Sequence, residues 1–154
     1  MPDIILSTLN ARYAHASLGL RYLRANLGDL HERSALCEFV IGQKTEEIVE
    51  RLIMMRPRII GFGVYIWNVE ETTRVVALLK LLEPGIHIVL GGPEVSYEVE
   101  QQRICALADH VITGWGDVSF PALVRQVLAG TPPADKVIAG VQPPLAALTL
   151  PYAE

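Results

Sequence analysis

The residues of this chain best suited to chemistry fall in four short clusters. The first holds Asn10, Ala11, Arg12 and Tyr13, with His15, Ser17 and Gly19 just beyond. The second is Val64-Tyr65-Ile66-Trp67, followed by Asn68. The third is Gly91-Gly92-Pro93-Glu94, and the fourth is Gly114-Trp115-Gly116-Asp117. Two large aromatics and an isoleucine stand in the second cluster, where a solvent loop would be polar. Paired and alternate glycines remove side chains, so a flat or bulky group can approach the backbone closely. The chemistry implied is non-covalent binding of a broad, largely neutral ligand. Nothing pairs an activated nucleophile with a base, and no catalytic or metal-ligating residue is assigned. Each cluster also has an ordinary reading: the glycines as tight turns, Tyr65 and Trp67 as loop packing, His15 as a hydrogen-bonded loop residue. The conjunction carries weight only if the fold brings all four together.

The elements that must do so alternate. Short apolar runs at Asp3–Thr8, Ser34–Ile41, Arg58–Val64, Ile86–Leu90 and Asp109–Thr113 read as strands. Between them lie helical stretches: Ser17–Leu27, Thr45 (as N-cap) to Met55, a helix after the cap Asn68 that stops at Pro84-Gly85, a short helix in Val95–Ala108, and Phe120–Leu128. Leu18, Tyr22 and Ala25 are expected along one side of the first helix, with Leu20, Leu23 and Leu27 beside them, and Val69, Val76, Leu79 and Leu82 along the third. Strand–helix alternation with right-handed crossovers predicts an α/β fold: a three-layer, doubly wound parallel sheet, flavodoxin-like (Rossmann-like), with strand order 2-1-3-4-5. Ligands of such sheets bind beyond the carboxyl ends of the strands, where all four clusters would lie. Residues 1–130 are expected to be the folded domain. Five of the ten prolines fall in 131–154, which reads as a linker or tail.

Composition excludes several classes. With 154 residues, 51% hydrophobic and 19% charged, the chain can bury a core. A formal charge of −4 supplies no basic excess to displace phosphate counterions, so no nucleic-acid partner is expected. No apolar run reaches the roughly 18 residues of a membrane span, and the N-terminus lacks a signal-peptide pattern, so a cytoplasmic chain is expected. Cys37 and Cys105 are too few for a cysteine zinc site or an iron–sulfur cluster, and read as buried apolar groups. No G-x-G-x-x-G follows the first strand and no phosphate-loop motif is present. The paired acids of a phosphoacceptor receiver are replaced by Thr8-Leu9-Asn10, and its later Asp by Tyr65-Ile66-Trp67. A flavodoxin phosphate loop is replaced by NARYAHASLG.

TLNARYAHASLGLRYLRANL, GFGVYIWNVEET, VLGGPEVSYE and VITGWGDVSFPALV together resemble the N-terminal cobalamin-binding domain of cobalamin-dependent radical S-adenosylmethionine enzymes, from about Ile4 to Leu128. The resemblance implies a flavodoxin-like domain holding the corrin ring, and so its cobalt, across the strand ends, with the nucleotide tail beside the sheet. Asn10 and Ser17 would add hydrogen bonds, and Tyr65, Ile66 and Trp67 a floor. It also implies a partner domain, absent from this chain, that binds S-adenosylmethionine and a 4Fe-4S cluster; the parent would be a methyltransferase, or an enzyme of cyclisation or rearrangement. The D-x-H-x-x-G of other cobalamin domains, aligned on Gly19, puts Ala16 at the position of the axial His and Ala14 at that of the Asp. His15 is one residue out of register, which implies base-off cobalamin without a His ligand. Two other readings stand beside this one: a non-catalytic doubly wound domain for a nucleotide or a partner protein, and a stand-alone cobalamin carrier.

Overall fold

The β-branched runs form the strands of a computed structural model that describes residues 1–12 and 16–152. They are Ile4–Asn10 (β1), Ser34–Val40 (β2), Ile59–Gly63 (β3), His87–Gly91 (β4), His110–Thr113 (β5) and Val137–Ala139 (β6). All pairings are parallel, in the order β2-β1-β3-β4-β5-β6. The expected five-strand order is present, and the Pro-rich segment contributes a sixth strand at the edge. β6 is short and flanked by prolines, so its pattern was too brief to read as a strand.

The helices are Leu18–Ala25 (α1), Thr45–Met54 (α2), Val69–Leu82 (α3), Arg103–Leu107 (α4) and Ser119–Leu128 (α5). They cover both faces of the sheet. α2, α3 and α4 bury Ile48, Leu52, Val75, Val76, Leu79 and Ile104 against Ile5, Leu9, Ile60, Phe62, Ile88 and Leu90. α1 and α5 bury Leu20, Phe120, Leu123 and Val124 against Ile4, Leu6, Ile59, Val89 and Ile112. Cys37 and Cys105 are free thiols, buried on the α2–α4 side. Burial in apolar surroundings pushes both thiols up from their ordinary value.

Three local expectations need correction. The cap of α2 is Lys44, not Thr45, because the Lys44 carbonyl already accepts the Ile48 N–H at 3.2 Å. Asn68 does precede α3, but its side chain turns inward instead of capping. Its Oδ1 accepts the Tyr65 N–H at 2.9 Å, and its Nδ2 donates to Leu9 O at 2.9 Å and Thr8 Oγ1 at 3.2 Å. Asn68 thereby ties the β3–α3 turn to β1. Finally, Leu18 and Leu82 leave the expected stripes for solvent, while Val69, Val76 and Leu79 keep theirs. Leu20 and Leu27 are buried while Leu18 is exposed, and Val75, Val76 and Leu79 are buried while Leu82 is exposed.

Beyond β6, the Gly140 N–H donates to Thr113 O at 2.6 Å and the chain turns toward α1. There Asn26 and Thr149 exchange two hydrogen bonds, at 2.8 and 3.0 Å. Among the described residues, no helix is long and apolar enough to cross a membrane.

Candidate ligand-binding cleft

The cleft originates in the alternation of side chains along the central strands. In β3, Ile60 and Phe62, with Val64 just beyond, face the α2–α4 core, which leaves Gly61 and Gly63 on the opposite face. In β4, Ile88 and Leu90 face that same core, leaving Val89 and Gly91 opposite. The register sets Gly63 beside Gly91, so two neighbouring strands lack side chains at the same height. The α1–α5 face of the sheet is therefore hollow toward its carboxyl end. The hollow measures about 690 Å³, within the range of small-molecule pockets. The glycines form its back, Tyr22 and Leu23 of α1 one wall, Trp115 and Asp117 another, and Tyr65, Pro93 and Tyr97 stand toward the strand ends. Leu145 and Leu148 of the C-terminal segment complete the lining.

The glycines do different work. A side chain at Gly91 or Gly114 would meet nothing within 4 Å, so both open on the hollow. Gly114 has φ +72°, a conformation that disfavours other residues. At Gly92 a Cβ would lie 2.5 Å from the Val64 carbonyl oxygen, and φ is +110°. Gly92 is thus required by its own backbone neighbours, and its ordinary turn reading accounts for it. Gly61 lets the Phe120 ring rest on the strand, where a Cβ would come within 3.0 Å of it.

Of the residues singled out in the sequence, Gly19, Tyr65, Gly91, Gly92, Pro93, Gly114, Trp115, Gly116 and Asp117 line this cleft. Asn10, Ala11, Arg12, Ser17, Val64, Ile66, Trp67 and Glu94 do not. Tyr13 and His15 lie outside the described residues. Val64 is fully buried on the opposite side of the sheet. Trp67 stacks on Tyr65 with ring centroids 4.5 Å apart, and Ile66 beside them is 77% exposed, so this trio forms an apolar rim. Asn10 and Ser17 are engaged within the protein. The Asn10 amide donates to Glu38 Oε1, and the Ser17 hydroxyl accepts the Leu20 N–H. Sequence reasoning missed Gly61, Gly63, Tyr22, Leu23, Ser96, Tyr97, Phe120, Leu145 and Leu148. A signal existed for the first two: glycines two apart in a strand share a face. The tail leucines had none, because only the long-range turn after β6 brings them here.

The chemistry of the cleft is that of recognition. Ser96 Oγ donates to Gly92 O at 2.8 Å and accepts the Gly114 N–H at 3.1 Å, joining the two glycine loops. Among the described residues Asp117 is the acidic member of the lining, and burial raises its carboxyl above the usual carboxylate range. Among the described residues, no group of three or more His, Cys, Asp or Glu side chains is placed to hold a metal ion. Apolar walls with loop N–H and C=O groups at the mouth suit a large neutral ligand fringed with amides.

Comparison with known proteins bears on the family and the fold. The family model described as B12 binding domain matches residues 5–124. A solved structure of a novel cobalamin-binding protein from Desulfitobacterium hafniense DCB-2 superposes with a TM-score of 0.60 at 20% sequence identity, over 81% of this chain and 58% of that one. This chain thus aligns with little more than half of that protein, and at this identity the likeness concerns the fold. None of the curated proteins matches.

Proposed function

The chain belongs to the B12-binding domain family, and from that premise we propose that it holds cobalamin with the nucleotide tail in the cleft and the corrin over the carboxyl ends of β1, β3, β4 and β5. One observation carries the reading: Gly91 and Gly114 face the cleft with nothing within 4 Å of where a side chain would stand, beside a third glycine, Gly63. An elongated group can therefore lie against the sheet backbone. Tyr22, Leu23 and Phe120 give it apolar contact, while Asp117 accepts hydrogen bonds from its polar edge. The Tyr65–Trp67 stack, with Ile66, offers the corrin an apolar rest. Arg12 and Glu94 belong to the loops around this rim, where corrin amides would meet backbone and side-chain partners.

We assign no His ligand from this chain to the cobalt. Ala16 occupies the position of an axial His counted from Gly19, and with its nucleotide tail lodged in the cleft the cofactor would be held base-off. The bound cofactor supplies cobalt chemistry, and this chain's residues supply binding, orientation and exclusion of water from the tail. The four sequence blocks that resemble cobalamin-dependent radical S-adenosylmethionine enzymes support a place as the N-terminal module of such an enzyme. The partner domain would bind S-adenosylmethionine and a 4Fe-4S cluster, and the parent reaction would be methyl transfer, rearrangement or cyclisation. Because β6 joins the sheet, and Leu145 and Leu148 line the cleft while Thr149 is bonded to Asn26, we place the end of the module beyond Thr149.

Incubation with hydroxocobalamin, gel filtration and a visible spectrum test the reading. A stoichiometric amount of cobalamin is expected to co-elute. Complete loss on dialysis at micromolar protein overturns it, and retention of a nucleotide instead would favour a nucleotide-binding domain. The cob(II)alamin paramagnetic resonance spectrum is expected to lack nitrogen superhyperfine splitting. Splitting that His15→Ala abolishes would overturn the absence of a His ligand, and splitting that persists in that variant would overturn base-off binding.

A further inference from the structure

We propose that Glu38, on the neighbouring strand β2 and outside the cleft, is the positioning residue that sets the cleft's α1 wall and ties together Asn10 and Ser17, the flanks of the segment leading into it; the inference rests on the cobalamin reading above. In the sequence this glutamate only weakens an otherwise apolar strand. In the structure its carboxylate gathers three donors. Oε1 accepts the Ser17 backbone N–H at 2.5 Å and the Asn10 amide at 3.1 Å, and Oε2 accepts Arg21 Nη2 at 2.8 Å. Asn10 ends β1 and Ser17 begins α1, so one carboxylate holds both ends of the intervening loop. Arg21 extends the grip into the helix, donating from Nη1 to Ser17 O at 3.0 Å.

The need for this grip follows from α1 itself. Its first turn is Leu18-Gly19-Leu20, with no acidic residue to meet the positive end of the helix dipole and with a poor helix former at its second position. Gly19 lines the cleft, where a Cβ would stand 3.4 Å from the Tyr65 hydroxyl. A small residue there keeps the cleft open and weakens the helix start. Glu38 restores from β2 the negative charge that α1 lacks. Burial alone would raise its carboxyl, but the hydrogen bonds from Arg21, Ser17 and Asn10 outweigh burial and hold it below the usual range. The carboxylate is therefore ionised, and its bonds are charge-assisted. The α1 residues it holds in place, Gly19, Leu20, Tyr22 and Leu23, are cleft wall.

Two variants of the full chain, Glu38→Ala and Glu38→Gln, test this with two readouts. The first is hydroxocobalamin affinity, measured well below each variant's melting temperature. Glu38→Ala is expected to weaken it at least about tenfold, the equivalent of one lost charge-assisted bond. Glu38→Gln keeps an acceptor for Ser17 and loses the ion pair, and is expected to recover part of the loss, leaving about threefold. The second readout needs no ligand: the rate of tryptic cleavage after Arg12, which should rise in the order wild type, Gln, Ala. Wild-type affinity and wild-type cleavage in a folded Glu38→Ala protein, with only a lower melting temperature, overturn the proposal. If Glu38→Ala does not fold, wild-type values of both readouts in Glu38→Gln do so. If the wild-type chain fails to bind cobalamin, the ligand reading falls, and the cleavage order alone decides whether Glu38 ties the two flanks together.

Discussion

The two faces of one sheet differ in how the same strands are used. Toward α2, α3 and α4, Ile60, Phe62, Val64, Ile88 and Leu90 project from β3 and β4 and fill the space to the helices. Toward α1 and α5, those strands present Gly61, Gly63, Val89 and Gly91, and the space stays open. A doubly wound sheet needs apolar packing on both faces, yet this one concentrates packing on one face and vacates the carboxyl half of the other. On the α1–α5 side, packing is retained low in the sheet by Ile4, Leu6, Ile59 and Phe120, which anchor the helices below the hollow. Stability and ligand space are thus separated by strand parity. Substitutions one residue apart should have opposite consequences.

The filled face should show the largest stability effect. Leu79→Ala, at a fully buried position on α3, is expected to cost about 2–5 kcal/mol in denaturant unfolding. Cobalamin affinity well below the melting temperature should stay at the wild-type value. A matching loss of affinity would show that the two faces are coupled.

The adjacent glycines sharpen the contrast. Gly91→Leu places a side chain in open space at an ordinary φ, so the fold should persist while cobalamin affinity falls about a hundredfold, roughly 2.7 kcal/mol. Gly92→Ala meets the Val64 carbonyl in a left-handed conformation, and should cost about 1–3 kcal/mol of stability. Thermal melts and ligand titrations of both variants check the pair. Equal stability losses would mean that Gly91 is also only a turn residue.

The smallest effect is expected at the amino end of the sheet, far from the cleft. His87 and His110 stack there, with Nε2 of His87 2.7 Å from Nδ1 of His110, whose Nε2 lies 3.0 Å from Pro133 O. Only a donor satisfies a carbonyl, so His110 carries its proton on Nε2 and, when neutral, accepts from His87. Burial lowers the His87 pKa; Asp109 opposes this, while His110 and Lys80 add to it. A depressed pKa means that the neutral ring stabilises the fold. That contribution is complete above the ordinary histidine value and is lost as pH falls through the folded value. Urea midpoints should therefore drop between about pH 7 and pH 5, and the drop should be shallower in His87→Phe. An identical slope in the variant would assign the acid sensitivity to other groups.

Much of the fold was legible because its signals are local. β-branched runs, helical spacing and stop signals at Pro84-Gly85 act within a few residues, and strand–helix alternation leaves few topologies. The departures have local causes too. Lys44 displaced Thr45 as a cap because the helix began one residue early, and Leu18 and Leu82 face solvent because each stands at a helix end. The loops at Gly91, Gly114 and Tyr65 were identifiable because glycine pairs and loop aromatics are unusual. Whether each glycine is a wall or a turn was not.

The sequence by itself determined the alternation of elements, the parallel sheet and the edge at which a ligand site would form. Tertiary structure alone decided which positions line it. Parity along a strand is written in consecutive residues, but the register that sets Gly63 beside Gly91 depends on pairing between strands. The same holds for Glu38, whose three partners lie 17 to 28 positions away in the chain, and for Thr149, which meets Asn26 across 123. Contacts at such separations leave no periodic trace, because the residues become neighbours only after the chain has folded.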